Sequence, residues 1–476
     1  MKKFLFGVLV LLTPALTFAQ TQQQLLKDFE KNTRGVKNTF QLNDQVNIMT
    51  IRLDNEFELL AIDNKMQVLW RNTFKGDAVI SGKFKGHILA IGANVGDPKT
   101  YFDSYTGYLI DEQTGKLLLQ KLIYMSTAST VEVADAFFAE DGSYLKLALR
   151  QTGAKKTHSR FSLLDKIDET RGITVIDVND KLEATVSVLE IPNGFYTGLQ
   201  ANKAGDVFTF FLQNDKTLIV SKFENGKTKP SAAITQNVDM PEQTKTDEIT
   251  YGSACSSMDP NVAYFGLMHK NPSKDLELTV CKVDFTANSG KIVNEILTKS
   301  HVKTIEKSFI PPDKIDKAYI GSEYFFVLKH MWEYDGTLSV VYGGKYQEGN
   351  GYWIENSAII NGYDKDLNQS FQQVLPNRTT FALTSHATAG FYHNSNNNLC
   401  VVVNTGNMTF DTMFGQLDLA TGKWVKLKML EKKKITSSDF TPPTDLWYKD
   451  SFILIYQPFT HGLDAKVDLD LQLNSF

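Results

Sequence analysis

The chain has 476 residues, with 50 Lys plus Arg against 54 Asp plus Glu and a net charge of −4. No long basic block occurs, which argues against nucleic acid as a partner. Three cysteines, Cys255, Cys281 and Cys400, are too few and too scattered for a disulfide framework, leaving a single Cys255–Cys281 bridge or three buried thiols as the alternatives.

The first residues read as a secretory signal peptide spanning 1–19. Lys2 and Lys3 form a charged start, Phe4 to Leu12 an apolar core, and Thr17-Phe18-Ala19 a small-residue cleavage context before Gln20. The short Lys-Lys start reads as bacterial, so the expected destination is the periplasm or the outside of the cell. No later segment has about 18 uncharged apolar residues in a row, so no transmembrane segment is expected in the mature chain. In the N-terminal segment 20–38, Gln22 to Lys31 carries Leu25, Leu26 and Phe29 on one side of a short amphipathic helix.

From about Thr39 to the end the pattern is β. Tyr108 to Gln120 is an apolar run ending at Asp111, a polar turn with Gly115, and a second apolar run from Leu117. Asp and Gly supply turn geometry between strand-forming runs. The unit recurs at Ala61–Trp70, Val175–Leu182, Val283–Val293, Tyr363–Asn368 and Leu417–Val425, and more weakly at Val220–Lys227. Each copy is preceded by another hairpin whose second strand is strongly apolar, as in Lys85–Ile91, Asp141–Leu147, Asp335–Val341 and Asn397–Val403.

The repeating unit is therefore four strands, A-turn-B-loop-C-turn-D. Such a sheet has two faces to bury and cannot do so alone; packing it in a ring covers both. The expected fold is all-β, a single β-propeller domain over 39–476 built of four-stranded antiparallel blades. Eight blades use every apolar strand, and seven is the alternative. The last unit has a C-like strand, Val467 to Leu473, and then stops. Either the N-terminal segment supplies its outer strand or that blade stays three-stranded.

The hairpins with Asp418, Thr421, Gly422, Lys423 and Trp424, and more loosely Asp63 and Trp70, resemble the quinoprotein-type (PQQ-like) propeller repeat. That family includes quinone-dependent dehydrogenases and cofactor-free assembly scaffolds. No two cysteines adjoin here, unlike the dehydrogenases. The resemblance implies a fold and no chemistry.

The A–B and C–D turns are tight, whereas the B–C and D–A connections are long. In a propeller those two sets emerge on one face, where binding is expected. Their aromatics nominate Tyr101, Tyr105, Tyr346, Tyr352, Trp353 and Phe410 as ligand-binding residues, against the alternative that the rings pack the loops down. Lys155 to Arg160 reads as a solvated basic loop, and Asp364 to Asn368 as a turn rather than a calcium loop. No zinc spacing, Gly-x-Ser-x-Gly, Walker or dinucleotide fingerprint occurs. No cofactor or metal is expected, and the catalytic residues, if any, are not legible. The reading is a secreted, non-catalytic propeller binding a protein or glycan partner. The alternative is a carbohydrate-active or other hydrolytic propeller with acidic residues at the central channel. The sequence sets no oligomeric state.

Overall fold

The computed structural model describes residues 22–29, 35–53, 55–94, 104–126, 131–139, 141–152, 170–213, 216–238, 251–312, 315–321, 326–347, 352–382, 389–394, 396–407, 411–430, 444–456 and 467–476. The expected signal peptide and the Lys155–Arg160 cluster lie outside them.

The fold is an eight-bladed β-propeller of four-stranded antiparallel blades. A strand at the N-terminus, β1 (Gln22–Phe29), stands apart from the first blade. Blade 1 is β2 (Gly35–Asn43), β3 (Val46–Arg52), β4 (Glu56–Asp63) and β5 (Val68–Lys75). Blade 2 is β6 (Asp77–Phe84), β7 (His87–Asn94), β8 (Ser104–Ile110) and β9 (Leu117–Met125). Blade 3 is β10 (Val131–Phe138), β11 (Leu145–Thr152), β12 (Thr170–Val178) and β13 (Ala184–Leu189). Blade 4 is β14 (Phe195–Ala201), β15 (Val207–Gln213), β16 (Thr217–Phe223) and β17 (Ala232–Asn237). Blade 5 is β18 (Tyr251–Ser256), β19 (Val262–Lys270), β20 (Leu276–Asp284) and β21 (Ser289–Leu297), followed by helix α1 (Lys299–Ser308). Blade 6 is β22 (Phe326–Tyr334), β23 (Thr337–Gln347), β24 (Tyr352–Tyr363) and β25 (Gln369–Leu375), followed by a short strand β26 (Thr379–Ala382). Blade 7 is β27 (Ala389–Asn394), β28 (Asn398–Asn407), β29 (Asp411–Asp418) and β30 (Lys423–Met429). Blade 8 is β31 (Thr444–Trp447), β32 (Ser451–Tyr456) and β33 (Val467–Ser475), completed by β1.

That last pairing corrects the helix expected at Gln22–Lys31. The segment is a strand antiparallel to β33, with Gln22 opposite Leu473 and Leu26 opposite Leu469. The edge of β33 offers a row of unpaired backbone groups, and satisfying them outweighs a short helix that is marginal in water. The ring is thus closed by strands from both ends of the chain.

Each seam between blades holds its own apolar cluster. The seam of blades 8 and 1 contains Leu446, Ile453, Ile455 and Leu471 against Met49, Ile51, Leu60 and Ile62. The same arrangement recurs between blades 1 and 2, 2 and 3, 3 and 4, 4 and 5, 5 and 6, 6 and 7, and 7 and 8. The B and C strands are covered on both faces, as the nearly unbroken burial of β3, β4 and β15 shows. The outer D strands alternate or lie open, as β5 and β9 do. All three cysteines are free and buried, so no Cys255–Cys281 bridge forms.

The repeated turns are closed by their own side chains. Asp111 Oδ1 accepts from the Gln113 and Thr114 amides at 3.2 and 2.8 Å and from Thr114 Oγ1 at 2.7 Å. Asp63, Asp284, Asp364 and Asp418 act alike. In blade 3 the capping residue is Asn179 and not Asp177, which pairs instead with Lys146. Asp364 to Asn368 is a hairpin turn of this kind. The turn glycine has a second task. Gly115 and Gly422 have φ of +67° and +65°, and a Cβ there would strike Trp70 and Phe371 respectively. Both rings come from the outer strand of the preceding blade, so the Thr-Gly turn is also the socket that locks neighbouring blades together.

Candidate functional site

The B–C/D–A face carries an upper tier over blades 6 and 7. Strands β23 and β24 run to 11 and 12 residues and continue beyond the blade. The lower part of β24 pairs with β25, and its upper part, Tyr352 to Glu355, pairs with β26. Strand β26 then runs parallel to β28, Thr379 opposite Gly406, and joins the two blades into one nine-stranded sheet.

A buried polar network fixes this tier. Ser357 Oγ accepts from the Tyr319 amide at 3.0 Å and donates to the Asn377 carbonyl at 3.1 Å. Asn356 Nδ2 donates to the Ile320 carbonyl at 3.2 Å, and Thr379 Oγ1 to Asn377 Oδ1 at 2.7 Å. Helix α1 buries Val302 and Ile305, and Glu306 Oε1 accepts from the amides of Ile320 and Gly321. Beside the tier, Glu355 lies 3.5 Å from Lys329 Nζ and 3.7 Å from Lys345 Nζ, all three largely buried. Burial, chiefly, lowers the Lys345 pKa against the pull of Glu355.

Of the nominated residues, Tyr346, Tyr352 and Trp353 fall on this tier. Tyr346 is half-buried opposite Ile354, and Trp353 stands between Gln347 and Phe381 in the strand register. Tyr101 and Phe410 lie outside the described residues. Tyr105 is a correction: it is 2% exposed on β8, in the seam of blades 2 and 3, with its ring 6.3 Å from Tyr124. The strand begins at Ser104, earlier than the polar context suggests, and turns the ring inward.

The inner strands carry groups that no motif announced. Between blades 6 and 7, Phe391, His330, His393 and Trp332 interleave, with successive centroids 4.6, 5.3 and 4.8 Å apart. The two Nε2 atoms are 3.0 Å apart, a hydrogen bond that two neutral imidazoles can make and two cations cannot. Burial pushes His330 down to about 4 and His393 to about 3, the latter helped by His330. Both histidines stand on innermost strands a few residues before an A–B turn, and aligning those strands by their turns is the signal that finds them.

Two acids on the inner strands, Asp135 and Glu333, are held by donors. Asp135 accepts from the Tyr196 hydroxyl at 3.3 Å, and burial holds its pKa above the usual carboxylate range against the charge of Arg150. Glu333 accepts from Ser257 Oγ, the Met258 amide and the Gly336 amide at 3.1, 2.7 and 2.9 Å. Asp445 is sealed against Gly390, where a Cβ would strike its carboxyl oxygen, and neither oxygen has a hydrogen-bond partner. Burial raises its pKa well above the ordinary value.

The opposite, turn-side face has a cavity of about 370 Å³ where the inner strands of blades 3 to 6 end, lined in part by Phe137, Tyr144, Met258, Trp332 and Tyr334. A more open hollow of about 590 Å³ lies over blade 1 between Glu56 and Lys75, where Arg71 forks onto Glu58. Among the described residues no group of three metal-ligating side chains forms, and no helix is long and apolar enough to cross a membrane.

No protein-family model matches the chain, and no curated protein does. Solved structures similar to it include the WD40 domain of SCAP from fission yeast, at 8% identity and TM-score 0.40, covering 95% of this chain and 98% of that one. Prolyl oligopeptidase B from Galerina marginata matches at 11% identity and TM-score 0.44, with 89% of this chain spanning 55% of that one. BamB from Moraxella catarrhalis matches at 8% identity and TM-score 0.39, over 93% of this chain and 100% of that one. At such identities nothing about ligand or chemistry transfers. The chain forms an eight-bladed β-propeller with an added sheet tier on one face.

Proposed function

We propose that the chain is an exported, non-catalytic β-propeller that binds a protein or glycan partner through its B–C/D–A face. The observation that carries this is the upper tier of blades 6 and 7: a rigid extra sheet, pinned by buried hydrogen bonds, that stands on the B–C/D–A face and bridges the two blades. Rigid elements bearing aromatic rings give contact area at low entropic cost. Tyr346, Tyr352 and Trp353, together with Tyr101 and Phe410, are the proposed contact residues. The hairpin resemblance supports kinship with the PQQ-like propellers, and residues 1–19 are the proposed export signal.

The test is site-specific photo-crosslinking in the intact host cell. A benzophenone side chain at position 346 is expected to capture a protein or glycan, while the same group at Val186, exposed on the outer rim, captures none. Capture from position 186 and not from 346, or release of oligosaccharides from a polysaccharide panel by the purified protein, would contradict the reading.

A further inference from the structure

We propose that the outer edge of β9 is a self-association surface, on which a second copy of this chain pairs β9 with β9 in antiparallel register. It lies on the rim of blade 2, apart from the B–C/D–A face, and is independent of the partner-binding reading. The strand ends the sheet order β6-β7-β8-β9, so its far edge has no partner strand among the described residues. Nor does any described hydrogen bond reach that edge between Leu117 and Ile123. Such an edge presents a row of free amide and carbonyl groups to a matching strand. Leu117, Leu118, Leu119, Leu122 and Met125 are between 36% and 54% exposed, and no other described strand leaves as many large apolar side chains open.

Other outer strands are blunted by shortness or by charge. Strands β13 and β17 have six residues each, β5 carries Arg71 and Lys75, and β30 carries Lys423, Lys426 and Lys428. Strand β9 runs nine residues with Lys121 as its one charge. Removing its leucines from water favours a cover, and its unpaired backbone groups favour a cover that is itself a strand.

The occupant is a second copy because the edge complements itself. The ladder to β8 is regular from Leu119 to Leu122, and register shifts bracket that stretch. A two-fold axis at Gln120 sets Leu118 of each copy opposite Leu122 of the other. Gln120 meets Gln120, and each amide can both donate and accept. Lys121 faces Leu119 of the other copy and not its own image, so no like charges stand opposite across the ladder. The two discs then meet rim to rim at blade 2, and the B–C/D–A face stays open on both. The regular stretch is short, so the dimer is a weak one at the low end of interface size.

The test is sedimentation of the mature chain from about 1 to about 100 µM, where a dimer with a Kd on the order of 10 µM is expected. The double variant Leu118→Lys with Leu122→Lys opposes lysine to lysine across the axis and should weaken the dimer at least about tenfold. Leu69→Lys, equally exposed on β5, should leave it unchanged. Thermal melts matching the parent establish that the variants are folded. A short bis-maleimide should join two copies of Gln120→Cys and not two copies of Val425→Cys, the native thiols being buried. A parent that stays monomeric at the highest concentration, a dimer retained in the folded double variant, or joining at 425 and not at 120 would overturn the proposal.

Discussion

Between pH 6.5 and about 4 the folded protein is expected to lose stability steeply, and the loss should trace to His330 and His393. Both have folded pKa values below the ordinary 6.5, at about 4 and about 3, because burial among rings disfavours the cation. As pH falls through 6.5 the unfolded chain takes up protons that the folded pair refuses until the lower values are reached. The stabilising contribution is therefore complete above 6.5 and is lost on the way down. Neither ring is wholly sealed from solvent, so the effect is set at about 2 to 3 kcal/mol for the pair. Protonation would also place two donors face to face where one Nε2–H now meets a lone pair. Urea unfolding at several pH values measures this. The double variant His330→Phe with His393→Phe keeps the stacked rings and should flatten that part of the profile.

Removing the carboxylate of Glu295 is expected to destabilise the protein by about 3 kcal/mol or more. Glu295, on β21, accepts from the Tyr342 hydroxyl at 2.8 Å, Asn361 Nδ2 at 2.7 Å, Gln372 Nε2 at 2.7 Å and His301 Nε2 at 2.9 Å. These donors come from three strands of blade 6 and from helix α1, so one carboxylate ties the outer seam of blades 5 and 6 to the base of the upper tier. The Tyr342 side chain is fully buried and cannot turn to water. Glu295→Ala leaves these donors without their shared acceptor, and Glu295→Gln replaces half of it with another donor. Urea midpoints should fall for both, further for Ala. Hydrogen exchange should speed up in α1 before the rest of the ring, since His301 loses its anchor.

The blade pattern was legible because it is local. An Asp or Asn before a tight turn closes its own hairpin through side-chain to amide bonds, as at Asp111 and Asp418, and so leaves a mark every time it recurs. The socket role of Gly115 and Gly422 was not legible, because the ring that fills each one comes from a different blade. The same limit explains the N-terminal strand. Leu25, Leu26 and Phe29 fit a helical spacing, and only the free edge of β33 at the far end of the chain selects the extended form. Of the nominated aromatics, three fall on a tier whose existence depends on pairing between blades 6 and 7, whereas Tyr105 turned out to be seam packing. Asp445 shows nothing in sequence because its properties come from what surrounds it, whereas His330 and His393 come to notice once the inner strands are aligned by their turns.

Closure of the ring by its two ends is the claim on which the rigid face depends, and a designed disulfide tests it most directly. Gln22 and Leu473 are register partners on β1 and β33. The native thiols are all buried and should not compete. The paired variant Gln22→Cys with Leu473→Cys is expected to form an intramolecular bridge in the monomer under mild oxidation and to raise the melting temperature. Reduced thiols that stay apart, or bridges found solely between two chains, would contradict a ring sealed by its own N-terminal strand.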